Sequence, residues 1–250
     1  MDNTLGARPK LLHGFKSKKE AVLDSLRNAI ATGVFKPGER LVIDDLALQF
    51  GVSAIPIREA LQQLQAEGFV TLQPYIGATV TPIEPGLIDE IFDLLESLEL
   101  TSGRGACRRM GTAEFAAMEA LLLELDGLEK QHDAWSAANI RLHEFICDCA
   151  QMPLTKSMLV KVLEHWNRLR RVYLDDVFRH RIHAAQQEHW SMFRAMKAGD
   201  LKKLERVIHK HNRAAHDAYL AQFRRALKQA PTPARVTRRI NKPAITITKT

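Results

Sequence analysis

The stretch from Phe35 to Val70, FKPGERLVIDDLALQFGVSAIPIREALQQLQAEGFV, constrains the chain more than any other. Its apolar residues return every three or four positions in two short runs. Leu46, Ala47 and Phe50 share a face of the first; Ile57, Ala60, Leu61 and Leu64 share a face of the second, with Phe69 following. That spacing makes two amphipathic helices. Between them lies a corner, Phe50-Gly51-Val52-Ser53. Two short helices about a glycine corner are a helix-turn-helix, whose second helix fits the DNA major groove. Ser53 is placed to cap that helix, Pro56 falls in its first turn, and Gly68 lies where a left-handed residue ends it.

The flanks extend the pattern. Ser17 and Glu20 have capping-box spacing, so a helix should run to about Thr32 with Val22, Leu26, Ala29 and Ile30 inward and Gly33 ending it. Lys36-Pro37-Gly38-Glu39 reads as a turn. Phe69–Gln73 is a short strand by β-branched content, Pro74-Tyr75-Ile76-Gly77 a turn, and Ala78-Thr79-Val80 a return strand. This hairpin is a wing beside the recognition helix.

From Glu84 only helical patterns occur. Helices are expected near 85–110, 112–131, 134–150, 153–179, 181–198 and 200–227, with one break near His180. The predicted fold is mainly α: a winged helix-turn-helix over 15–82, then an all-α bundle of six to seven helices over 84–227. Residues 1–15 lack periodicity. Residues 228–250, with Pro231, Pro233 and Pro243, read as a disordered basic tail.

The formal charge of +7 is unevenly spread. Residues 1–84 hold nine basic and nine acidic residues, 85–223 hold 19 and 20, and 224–250 hold eight and none. The basic excess therefore belongs to the tail, where its solvated reading competes with non-specific phosphate contact. No run of 18 apolar residues exists, so no membrane helix is expected. With no secretory signal pattern, a cytoplasmic location is expected. Three cysteines without Cys-x-x-Cys argue against a disulfide framework or thiol zinc site.

Four polar residues stand at related positions in the helical part. Asn139 and His143 are four apart and share a helix face. His189 precedes Gly199 by ten residues and His211 follows Asp200 by eleven, so an antiparallel hairpin makes them level. A cavity lined by three imidazoles could hold Zn²⁺ or Ni²⁺ and leave positions for water or a ligand carboxylate. The competing reading is four polar residues satisfied in a wet pocket. Cys147, one turn after His143, is either a soft ligand or a small core thiol. His180 and His183 are assigned to the helix junction. Arg168 and Arg171, on the central helix, are candidates for an effector's carboxylate, against a solvated basic face.

Pro-Gly-Glu-Arg-Leu at 37–41, Gly-Val-Ser at 51–53, Pro-Ile-Arg-Glu-Ala-Leu at 56–61 and Ala-Glu-Gly-Phe-Val at 66–70 resemble the GntR family's winged helix-turn-helix. The helical part resembles its FadR-type C-terminal domain, FCD. The resemblance covers roughly residues 15–225. It implies a homodimeric bacterial transcription regulator, here expected to repress, that binds a double-stranded DNA operator and responds to a small-molecule effector, often a carboxylate. It implies DNA contacts at Arg40, Ser53, Arg58 and Gly77. Arginine can grip phosphate or a guanine edge, and a helix N-terminus can hold phosphate. Many FCD domains bind metal through an Asp, a His four residues on, and two His 22 apart; Asn139 takes the Asp position here. The chain departs from the family at Ala54 and Ile55, where Arg and Thr are usual, at Ile76 in the wing, and at Leu95, where an Arg is frequent.

Two other classes compete with the regulator. One is an interaction module whose DNA contacts have weakened, given Ala54, Ile55 and an uncharged N-terminal domain. The other is a metal-dependent hydrolase, for which the chain lacks His-Glu-x-x-His, a nucleophile elbow and a phosphate loop. The expectation is therefore not an enzyme.

Overall fold

The computed structural model describes residues 18–73 and 77–229. Contacts divide these into two compact units, each taken by itself: 18–29 with 38–81, and 30–37 with 82–229.

The first unit contains α1 (Lys18–Ala31), β1 (Arg40–Leu41), α2 (Ile43–Phe50), α3 (Ala54–Ala66), β2 (Val70–Gln73) and β3 (Gly77–Val80). Val22, Leu26, Ala29 and Ile30 are buried as their spacing predicts. Within the first unit Leu41, Leu46, Phe50, Ile57, Leu61, Leu64 and Phe69 are buried as well. Asp44 and Asp45 in the first turn of α2 suit the positive end of its dipole. Gly51 ends α2 at φ 62°, a left-handed conformation that costs glycine little. Ser53 takes the extended N-cap conformation, but its hydroxyl makes no cap hydrogen bond, contrary to the expected role.

The sheet has the order β1-β3-β2, antiparallel throughout, with Arg40 opposite Thr79 and Val70 opposite Val80. The strand β1 is absent from the sequence reading. Two residues carry no periodicity, and only pairing with β3 makes them a strand. Arg27 anchors α1 to the end of α3 through Glu67 Oε1 and Oε2 at 2.8 and 2.9 Å from Nη2. The Ser17 cap, the turn at 74–76 and residues 1–15 and 230–250 lie outside the described residues.

The second unit contains α4 (Pro85–Cys107), α5 (Thr112–Leu128), α6 (His132–Cys149), α7 (Pro153–Leu169), a π-helical turn (Arg170–Leu174), α8 (Asp175–Lys197) and α9 (Leu201–Gln229). Helix α4 packs against α6, α7 and α9, while α8 packs against α5 and α9. Among the core residues are Leu95, Met118, Trp135, Leu142, Leu163, Phe178, Met192 and Phe223. Close approach requires glycine on α4. A Cβ on Gly105 would meet Met152 Cε at 2.8 Å and Ala150 Cβ at 2.9 Å.

The expected break near His180 is wrong. His180 lies inside α8, and the α-helical repeat is interrupted instead at the π-helical Arg170–Leu174. Arg170-Arg171-Val172-Tyr173-Leu174 contains no glycine or proline to mark it. What holds the turn is tertiary. Arg170 is buried, donates to Asp133 Oδ1 at 2.7 Å and Asp175 Oδ1 at 3.1 Å, and lies 4.5 Å from the Phe178 ring centre. The one local signal is Asp175-Asp176, acidic residues in the first turn of α8.

Candidate functional site

Inside the helical unit, α6, α8 and α9 each bring one histidine to a common point. His143 follows Asn139 by one turn of α6; His189 and His211 face each other across the α8–α9 hairpin with ring centres 5.0 Å apart. His143 lies 5.6 Å from His189 and 6.4 Å from His211, centre to centre. One ligand atom of each ring lies within 4.8 Å of the others. The three rings would hold such an ion through their nitrogens.

The partners of these rings assign their nitrogens. Gln186 donates its amide to the Leu122 carbonyl at 2.9 Å and Asp126 Oδ1 at 2.7 Å. Its Oε1 therefore faces His189 Nδ1, at 3.3 Å, as acceptor. That leaves His189 Nε2 as a bare lone pair, buried and without a hydrogen-bond partner among the described residues. His211 Nδ1 lies 2.8 Å from Glu188 Oε2, and His143 Nδ1 3.3 Å from Glu99 Oε1. Asn212 in turn donates to Glu99 Oε2 at 2.7 Å. Each ring thus has an acceptor facing Nδ1, the arrangement that leaves the other nitrogen of a histidine for a metal.

Burial favours the neutral rings. It pushes the pKa of His143 down, against the raising effect of Glu99, and that of His189 well down, with His211 and His143 adding to the effect. Burial would raise Glu188, but hydrogen bonds from His211 and Arg181 outweigh it and hold the carboxyl below its ordinary value. Asn139 Oδ1 is a second buried acceptor without a partner among the described residues. Two orphaned acceptors beside three imidazoles fit a cation.

A cavity opens beside the three histidines. Its polar end carries Glu99, Asn139, His143, Arg181 and Asn212; Phe92, Leu163, Trp166, Phe178 and Tyr219 are among its apolar walls. Leu95 lines it as well. Arg168 and Arg171 do not. Arg168 is buried, which pulls its pKa down to about 10, and Arg171 lies 3.6 Å from Asp133. The arginine that reaches the cavity is Arg181, missed from sequence because its azimuth depends on the π turn before it. Cys147 is fully buried in the core, where burial raises its thiol pKa, and stands outside the histidine group. His180 is exposed on α8 and His183 pairs with Glu129 at 3.1 Å.

In the first unit, α3 turns Ile57, Ala60, Leu61 and Leu64 inward and leaves Ile55, Arg58, Glu59 and Gln62 exposed. Ile55 is 68% exposed, so an apolar side chain stands in water at the tip of the helix. Arg58 makes no ion pair among the described residues; Glu59 faces Lys19 Nζ at 3.9 Å instead. Arg40 is exposed on β1. At Gly77, φ is 99°, and a Cβ would lie 4.0 Å from Arg40 Nε. Gln62 extends the same exposed stripe and was not singled out from sequence, although its spacing of four from Arg58 would have found it.

A three-stranded winged helix-turn-helix and a helical bundle with a buried polar cavity define a DNA-binding protein carrying a separate sensory unit. The comparisons agree. Residues 18–80 match the bacterial regulatory proteins of the gntR family, and residues 90–214 match the FCD domain. The chain belongs to the GntR family of transcriptional regulators and carries an FCD effector-binding domain. It is 30% identical over 215 residues to the uncharacterized HTH-type transcriptional regulator YdhC of Bacillus subtilis, covering 80% of this chain and 85% of that one. It is 23% identical over 166 residues to the galactonate operon transcriptional repressor of Escherichia coli, covering 58% and 72%. The solved structure of E. coli McbR/YncC has the same fold, with a TM-score of 0.67 at 21% identity over 84% of this chain and all of that one. No described helix is long and apolar enough to cross a membrane.

Proposed function

We propose that the protein is a homodimeric repressor that binds an operator through Arg40, Ser53, Arg58 and Gly77. Its affinity changes when a carboxylate effector joins a divalent metal held by Asn139, His143, His189 and His211. The observation that carries this reading is the inward set of bare acceptors, His189 Nε2 and Asn139 Oδ1, within a group of three histidines. Zn²⁺ and Ni²⁺ suit imidazole donors, and a bound ion would supply a Lewis-acidic position for the effector's carboxylate. Asn139 contributes a neutral oxygen, so affinity should fall below that of an Asp at the same place.

At the DNA surface, Arg58 and Arg40 are exposed and uncommitted to carboxylates among the described residues. The uncapped Ser53 hydroxyl is available to a phosphate at the α3 N-terminus. Ile55 suits a thymine methyl better than a phosphate. Repression is favoured by the name of the galactonate relative. A dimer is favoured by the exposed side chains Leu94 on α4 and Leu154 and Met158 on α7, two helices that pack together.

Fluorescence anisotropy with a DNA fragment from the protein's own promoter region tests the reading. Binding at low salt, weakened in Arg58→Ala and altered by metal with a carboxylate, is expected. No binding by either protein would overturn it and favour an interaction module instead.

A further inference from the structure

The cavity contains two more orphaned polar atoms, and these are donors. Trp135 lines it at 2% exposure, and its indole Nε1 is buried without a hydrogen-bond partner among the described residues. Arg181 also lines it. Nη1 and Nη2 face Glu188 at 3.4 and 2.8 Å, while Nε is buried without a partner. Trp135 stacks on His189 with ring centres 5.9 Å apart, so the indole stands next to the histidine group. Buried donors without acceptors are costly, and a ligand that supplies the acceptors removes the cost.

Charge limits how many acids that ligand carries. The charged side chains lining the polar end are Glu99 and Arg181, and Glu188 stands outside the lining, paired with Arg181. Arg181 is matched by Glu188, which leaves the Glu99 charge over. A divalent ion on neutral imidazoles brings the polar end to one net positive charge. One carboxylate balances it; a second would stand unpaired near Glu99 and Glu188. Beyond the polar end the walls are aromatic and aliphatic: Phe92, Leu163, Trp166, Phe178, Ile182 and Tyr219. The Tyr219 side chain is fully buried and burial raises its pKa, so it stays neutral. Hydroxyl-rich carbon chains would lose water there without finding partners.

We infer that the effector is an amphipathic monocarboxylate with an aromatic or branched apolar body, and that Trp135 Nε1–H is a specificity-determining donor to its carboxylate. This rests on the metal-based reading above and adds to it the class of effector and a residue that selects it.

Calorimetry on the full chain tests it, first with Zn²⁺ alone and then with phenylacetate, acetate, phenylacetamide, phenylsuccinate and gluconate on the Zn²⁺-loaded protein. Phenylacetate should bind at least tenfold more tightly than each of the other four. Trp135→Phe keeps an aromatic ring and removes the donor. It should weaken phenylacetate about tenfold while leaving Zn²⁺ affinity unchanged, as expected for one charge-assisted hydrogen bond. Leu163→Phe, which enlarges one of the apolar walls, should weaken phenylacetate and leave acetate alone, and this gives a second reading if the Trp135 variant fails to fold. Equal or tighter binding of phenylsuccinate or gluconate overturns the inference. So does unchanged affinity in a folded Trp135→Phe, or phenylacetate silent on a protein that takes up Zn²⁺. A protein that binds no Zn²⁺ overturns the metal-based reading, and this inference with it.

Discussion

At the scale of single residues, the site is organised by what each side chain lacks. His189 Nε2 and Asn139 Oδ1 are buried acceptors without a partner among the described residues. Glu188 and Gln186, which hold the Nδ1 side of two rings, set the direction of those lone pairs. Glu188→Gln keeps the size of the side chain and removes the charge facing His211. It should weaken Zn²⁺ binding about 10–100-fold, measured by competition with a chromophoric chelator, with little change in secondary structure. On the DNA side, Arg58→Ala should cost about 1–3 kcal/mol of operator binding and flatten discrimination among sequences, read by anisotropy at fixed salt. A phosphate-only role would lower affinity equally for all sequences, which separates the two uses of that arginine. Ala54→Arg tests the family departure at its source. It should raise affinity for non-operator DNA as well, since the added charge meets phosphate wherever it lands.

At the scale of elements, α4 is the helix against which α6, α7 and α9 are placed. Its glycines set how closely. Gly105→Ala forces a methyl group to within 2.9 Å of Ala150 Cβ and 2.8 Å of Met152 Cε. Met152 is flexible at its tip, but Ala150 is not, so a loss of about 1–3 kcal/mol in urea unfolding is expected. Gly103→Ala, whose new methyl would meet Ile208 Cδ1 at 3.1 Å, should cost less because that atom ends a rotatable side chain. The same elements mark what could be read without coordinates. The helix-turn-helix was legible because Leu46, Phe50, Ile57, Leu61 and Leu64 repeat with helical period and are buried in consequence. The histidines were legible because Gly199-Asp200 turns one helix back on the next and makes equal distances along the chain equal heights. Strand β1 and the π turn were not legible, since both depend on partners remote in sequence: Thr79 for Arg40, Asp133 for Arg170. Trp135, Arg181 and Glu99 escaped for the same reason. Which way a side chain on an amphipathic helix faces within the buried arc is settled by its neighbours, and no spacing rule reports it.

At the scale of the molecule, titration is coupled to stability, and on the proposed reading to metal uptake as well. His143 and His189 have folded pKa values below the ordinary histidine value, so the folded state binds fewer protons there than the unfolded chain. Their contribution to stability is complete above about pH 6.5 and is lost as pH falls below that value toward their depressed folded pKa values. His216 acts in the opposite sense. Burial would lower it, but hydrogen bonds to Asp89 and Asp217 outweigh that and raise its pKa. Its contribution is complete below about pH 6.5 and fades as pH rises through the folded value. Melting of the metal-free protein between pH 5 and 8 should therefore steepen its acid-side loss only through the two buried rings, and His216→Gln should remove stability at the acid end alone. Zn²⁺ at a hundred times its dissociation constant should add about 2.7 kcal/mol, reversed by a chelator, and the gain should shrink below pH 6 as protons compete for the imidazoles. The π turn at Arg170–Leu174 adds a constraint of a different sort. A residue in excess of the α-helical repeat changes the phase of everything that follows it, by about 100° per residue. Removing one residue from that turn would let the backbone return to regular pitch and would rotate Arg181, Gln186, Glu188 and His189 together off their present bearing. The bundle would then keep its helices and much of its apolar packing while its three histidines no longer met, which makes this five-residue turn the phase reference for the candidate site.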